Sequence, residues 1–193
     1  MKKFFQSLIL VALCCISGHL SAQDAVITIG ESGYTTFSSD KALDFSKVTG
    51  ENGKSAELTA FIVSSFFENG YLAITKAGGN RICPDKTVNP NIGLIVKGKP
   101  GIYHVQYADG ATNYFSSLLT PTVEPATLQT TDGATTIFVL TEDGCFSPVT
   151  NGDDSLGPNS AYLKVPTKFC KANHIEKFML GEVEEEKSLK VKQ

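Results

Sequence analysis

Short apolar and β-branched runs, broken by turn residues, dominate the chain. Ala25 to Ile29 reads AVITI, followed by GESG and then YTTF. Glu57 to Phe67 (ELTAFIVSSFF) and Tyr71 to Thr75 (YLAIT) flank Glu68-Asn69-Gly70, and Asn-Gly between apolar runs signals a β-hairpin. Ile92 to Val96 and Ile102 to Tyr107 flank KGKPG, whose glycines and proline suit a longer hairpin turn. Thr135 to Leu140 and Cys145 to Val149 flank TEDG, a third hairpin, and Ala161 to Val165 adds a last strand. No helical stretch of crossover length separates these runs. The pattern predicts an all-β fold: an antiparallel β-sandwich or flattened barrel of about eight strands in a single domain.

Two stretches admit a helical turn. Ser38 to Val48 (SSDKALDFSKV) opens with N-cap residues. PTKFCKANHIEKFML, near the C-terminus, has room for a turn before a final strand. Residues 23–180 are the expected β domain, and the charged tail 181–193 is read as disordered. One echo stands out: PNIGLIVK begins at Pro90 and PNSAYLKV at Pro158. Proline cannot donate to a sheet ladder, Asn tolerates turn geometry, and the small Gly93 or Ala161 permits close approach. The echo reads as a repeated way of opening a strand, since neither copy holds a nucleophile, base or metal-ligand set.

The first residues change the compartment. Lys2 and Lys3, the apolar stretch Phe4 to Ile16, and the small residues Ser21 and Ala22 have the layout of a secretory signal peptide over 1–22. The protein is therefore expected to be exported, to the periplasm, cell surface or beyond. Of 17 basic residues two lie in that segment, leaving 15 against 20 acidic ones, a net charge of −5. Such a balance disfavours nucleic acid and anionic membrane surfaces. No second apolar run is long enough for an integral membrane segment.

Candidate chemistry is sparse. Cys83, Cys145 and Cys170 remain after processing, an odd number that fits one bridge plus a free thiol, or three buried thiols. Cys170 and His174 lie four apart and would share a helix face, with Cys83 and Cys145 as further zinc ligands, but no close Cys pair supports a metal site. NGDDSLG, from Asn151, begins like a calcium loop and then places Leu156 where the sharp-turn glycine belongs. His104 in IYHVQY is expected on the solvent face, and the Cys145–His104 pair has no local support. No G-x-S-x-G elbow is present, and the acids cluster in turns. The reading is a non-enzyme without metal or cofactor. Aromatic platforms for a glycan or protein ligand are the livelier chemistry, and Tyr71, Tyr103, Tyr107 and Tyr114 are the ligand-binding candidates. The reading favoured for most of them is nevertheless as core or sheet-face residues, since aromatics commonly fill β-cores.

From GYTTFSSDKALDFSKV (Gly33 to Val48) the sequence resembles a module of exported Bacteroidales proteins carrying a Gly-Tyr-x-Thr-Phe-Ser-Ser-Asp-x-x-Leu-Asp-Phe signature. Leu58 to Ala77, Val88 to Val105, Phe138 to Val149 and Gly157 to Pro166 are similar to its later blocks, in the same order. The resemblance implies an exported β module, found alone or beside leucine-rich repeats, with no catalytic residues to carry over. The function expected is adhesion or ligand binding. The alternatives are a small glycan-processing hydrolase or accessory subunit, and a structural subunit that joins a surface assembly by strand addition.

Overall fold

Four times the chain turns a corner on Glu, a short polar residue and Gly: Gly30 to Tyr34, Gly50 to Lys54, Phe67 to Tyr71 and Thr141 to Cys145. In each the glycine lies at positive φ, 77° at Gly33, 71° at Gly53 and 76° at Gly70 and Gly144. That region favours glycine because it has no Cβ. Each glycine N–H donates to the carbonyl three residues back, at 2.8–3.1 Å. In the last three turns the first residue's N–H also donates to the fifth residue's carbonyl, at 2.8–2.9 Å. Asn52 and Asp143 add side-chain oxygens that accept from the backbone two residues on.

The computed structural model describes residues 24–80, 84–111, 115–129, 133–150 and 154–183. Its strands are β1 (Ala25–Ile29), β2 (Tyr34–Phe37), β3 (Leu43–Gly50), β4 (Thr59–Phe66), β5 (Tyr71–Lys76), β6 (Thr87–Val88), β7 (Leu94–Lys97) and β8 (Gly101–Tyr107). They continue with β9 (Leu119–Thr122), β10 (Ala126–Leu128), β11 (Thr135–Leu140), β12 (Phe146–Pro148), β13 (Asp154–Leu156) and β14 (Ser160–Pro166). Helix α1 (Thr167–Ala172) and strand β15 (Met179–Glu182) close the chain. The fold is all-β, as the apolar pattern predicts. Among the described residues it holds fifteen strands where about eight were expected, because pairs as short as β6 or β10 leave no periodic signal.

Four sheets stack in layers, ordered β1-β8-β3-β6, then β15-β5-β4-β7-β2, then β12-β11-β14-β9, then β10-β13. Strand alternation builds the three cores between them. On β4, Ala60 and Ile62 join the first core while Phe61 and Val63 join the second. On β11, Phe138 joins the second core and Ile137 the third. Phe138 and Phe178 meet edge to face, 5.0 Å between centroids, in the middle layer.

The order β2-β7-β4-β5 with the side pair β3·β6 repeats as β9-β14-β11-β12 with β10·β13. Phe61 opposite Ile95 and Phe138 opposite Leu163 hold matching places. The Pro-Asn echo marks this doubling. Asn91 (φ 59°) and Asn159 (φ 56°) both adopt the left-handed conformation just before the middle strand of their half. Between them lies Ser38-Ser39, 0% and 5% exposed. The Ser38 N–H donates to the Asn159 carbonyl at 3.1 Å, and the Asn91 N–H donates to the Ser39 carbonyl at 2.7 Å. Ser38 Oγ, with one proton, reaches the Ser160 carbonyl at 2.7 Å and that of Thr122 at 3.2 Å.

Three expectations are corrected. Ser38 to Val48 is no helical turn: Ser39 Oγ accepts from Lys41 N at 3.0 Å and Asp44 from Ser46 N at 2.9 Å, and β3 follows with a register shift between Asp44 and Val48. The same short polar side chains that suit a helix cap thus make local turns and a bulge. KGKPG joins no hairpin, because β7 pairs with β2 and β4 while β8 pairs with β1 and β3 in another layer. A Cβ on Gly98 would lie 2.4 Å from Leu58 Cδ2, so this crossing runs hard against its neighbour. The sheets are not wholly antiparallel either, since β15 pairs parallel with β5, and it takes Gly181 and Glu182 out of the expected tail. The turn before a final strand is present as α1 and β15. The proposed signal peptide and residues 184–193 lie outside the described residues.

Ser38→Ala is expected to lower stability by about 1–3 kcal/mol, because the Ser160 and Thr122 carbonyls lose the single hydroxyl proton within their reach. Asn91→Ala should cost about 1 kcal/mol through its positive φ, while Asn91→Gly costs far less. Urea unfolding of the three variants checks both statements.

Candidate functional site

The tips of two Glu-x-Gly turns, Gly30 to Tyr34 and Thr141 to Cys145, meet where the halves adjoin. A Cβ on Gly144 would stand 3.4 Å from Ser32 Cβ and 3.8 Å from Tyr34 Cδ2, ordinary contact distances that show how near the two tips lie. Beside the contact opens a cleft of about 540 Å³, within the usual size of small-molecule sites. Tyr34 and Thr36, on the face of β2 turned toward the second half, form one wall, and Leu140 with Ser160 forms the other. Glu31 and Glu142, at the same place in their two turns, are exposed on the rim. Thr36 Oγ1 and Ser160 Oγ share a hydrogen bond of 3.1 Å across the two halves.

Tyr34 is held from three directions. Its ring packs against the second core. The Lys97 ammonium lies 5.5 Å from the ring centroid, and the hydroxyl donates to Glu182 Oε1 at 3.3 Å. Lys97 and Glu182 are themselves ion-paired, tying β7 to β15. The hydrogen bond from Lys97 holds the Glu182 carboxyl below its ordinary value, and the same bond holds the Lys97 ammonium above its own.

The sequence candidates fall elsewhere, and they do not converge. Tyr71, 46% exposed, ends a hairpin turn whose Phe67 N–H donates to its carbonyl. Tyr103 and Tyr107 share the inner face of β8, four residues apart, and both pack partly against the first core. Tyr103 donates from its hydroxyl to the Lys99 carbonyl at 2.9 Å and borders an open groove with Ile102 and Asn52. Lys41 sits 4.8 Å over the Tyr107 ring, and burial, then Asp40, pushes the Tyr107 hydroxyl's pKa up. Tyr114 lies outside the described residues. Tyr34, in YTTF, was missed. The available signal was the repeated Glu-x-Gly turn, which gives Glu31 and Glu142 the same place within their turns.

Cys145 and Cys170 are free and buried, and burial first of all raises both thiol pKa values, so they stay protonated at neutral pH. Cys145 Sγ lies 3.2 Å from Met179 Sδ. The helix face proposed for Cys170 and His174 does not form, because α1 ends at Ala172 and His174 has φ 52°. Among the described residues no group of three or more His, Cys, Asp or Glu could hold a metal ion. Cys83 and positions 151–153 of the calcium-like loop lie outside them. His104 is half-buried on the outer face of its sheet, opposite Val26 and Thr49. Among the described residues no helix is long and apolar enough to cross a membrane. Compared with known families, curated proteins and solved structures, the chain finds no match.

Glu182→Gln tests the pair beside Tyr34. Because the Glu182 pKa is depressed, its contribution is in place at neutral pH and is lost as pH falls through the folded value. Lys97 is raised, so on the alkaline side the contribution is lost as pH rises through its folded value. With side chains 44% and 42% exposed, solvent screening limits the pair. The variant is expected to lose about 0.5 kcal/mol at neutral pH. Thermal melts should show that deficit closing below about pH 4.

Proposed function

We propose that the protein is an exported, non-catalytic recognition module whose cleft between the two halves binds a polyhydroxylated ligand, a glycan chain on a surface or matrix protein. The observation that carries the reading is the make-up of the cleft. An aromatic ring (Tyr34), two hydroxyls from opposite halves (Thr36 and Ser160) and two rim carboxylates (Glu31 and Glu142) surround a volume of sugar-ring scale. A sugar presents apolar C–H faces to a ring and hydroxyls to acceptors, and Tyr supplies both kinds of contact. Both carboxylates are exposed on turn tips, where they can accept hydrogen bonds from ligand hydroxyls without being desolvated. Export rests on the signal-peptide layout of 1–22. The resemblance to exported Bacteroidales modules supports a place in the periplasm or at the cell surface. The net charge of −5 expected after processing favours a neutral or basic ligand over an anionic one.

A glycan array probed with the purified chain is expected to give reproducible binding. Tyr34→Ala should weaken it by about tenfold, the loss of one aromatic contact. Glu142→Gln, an exposed change that spares the fold, should weaken it too. Tyr71→Ala, outside the cleft, should leave it intact. A blank array with folded protein, or binding indifferent to both cleft variants, would refute this reading.

A further inference from the structure

Edge strands expose unpaired N–H and C=O groups, and proteins blunt them with brevity, proline, charge or cover. Most edges here follow that rule: β6, β10, β12 and β13 have two or three residues, β9 carries Pro121, and β15 carries Gly181 and Glu182. β2 is turned toward the second half, with Thr36 bonded to Ser160. β1 breaks it. Its five residues, AVITI, pair on one side with β8 from Ala25↔Val105 to Ile29↔Gly101, and among the described residues their backbone makes no hydrogen bond on the other side. None of the five is charged, Pro or Gly. Val26, on the outer face, is 54% exposed.

The strand is suited to a copy of itself. Its burial alternates buried-exposed-buried-exposed-buried, a pattern that reads the same from either end. An antiparallel copy with Ile27 opposite Ile27 therefore places Ala25 opposite Ile29 on the inner face and Val26 opposite Thr28 on the outer face. Register in a sheet is fixed by such face matching. In that register Asp24 falls opposite Gly30, and Glu31 opposite position 23, so the flanking acids do not confront each other. The pairing would extend the sheet β6-β3-β8-β1 of each copy by its free end.

We propose that the chain forms a two-fold symmetric dimer by antiparallel β1–β1 pairing, merging two four-stranded sheets into one continuous sheet. Because both partners use the same edge, the contact closes and does not propagate into fibres. This surface is separate from the ligand cleft and stands independently of the proposed ligand.

Sedimentation equilibrium of the purified chain tests it. Five residue pairs make a small interface, so a weak dimer is expected, with Kd on the order of 10–100 µM. Val26→Lys with Thr28→Lys puts like charges opposite each other across the axis and should weaken the dimer at least about tenfold. Both side chains face solvent, and unchanged thermal melts would show that the fold is kept. Val26→Lys with Thr28→Glu places opposite charges in the same pairs and should restore association. A monomer up to about 1 mM, association untouched by the double lysine change, or failure of the Lys/Glu pair to restore it would overturn the proposal. So would stoichiometric capture on β1 of a different exported protein.

Discussion

Two serines hold the halves of this molecule in register. Ser38-Ser39 is buried between sheets, where a backbone without partners costs several kcal/mol, and it meets that demand by bonding to both left-handed Asn corners at once. Each corner aims the middle strand of its own half, β7 or β14. Fixing Ser38 against Asn159 and Ser39 against Asn91 therefore fixes one half relative to the other. Larger side chains would not fit, and an apolar one would leave the Ser160 carbonyl without its 2.7 Å donor.

On that frame the layers follow from alternation. β4 and β7 are apolar on both faces because they serve two cores, and β11 repeats the arrangement one layer on, while β14 adds only Tyr162 to the third core. The second core is the shared one. Phe61 from the first half and Phe138 from the second both enter it, and Phe178 from the C-terminal segment fills in beside Phe138. The cleft opens at the rim of this core, where Tyr34 is the last aromatic before solvent. Its walls come from both halves, so its shape depends on the same register that the serines impose.

What the sequence disclosed was local. Asn69-Gly70 and Asp143-Gly144 announced two hairpins, and the Pro-Asn echo announced two equivalent corners, because turn chemistry is written within a few neighbouring residues. Layer membership was not written there. KGKPG looks like a hairpin loop, yet it sends β8 into another sheet, a choice made by Leu58 crowding Gly98 and by the partners waiting on β1 and β3. The parallel addition of β15 to β5 was equally silent, since pairing between residues about a hundred positions apart leaves no periodicity. The four sequence-chosen tyrosines share only their chemistry. Tyr34 differs from them by position, at a turn facing another turn of the same type, and a single chain read in order gives little hint of which turns will meet.

The C-terminal segment carries a consequence for how the chain is made. Phe178 exchanges both backbone hydrogen bonds with Phe146 of the second half, and Met179 then bonds to Gly70 and begins the ladder on β5 of the first. A ribosome delivers this segment after the strands of both halves. Until it arrives, the flank of β5 is bare and the shared core lacks one of its four buried phenylalanines. Each half can gather its own hairpins during synthesis, and the Ser38-Ser39 bonds can join them, but this second tie forms only once Phe178 and Met179 are made. A nascent chain stalled short of Phe178 would be two loosely joined halves with an open seam, the kind of intermediate that holding factors recognise and proteases clear.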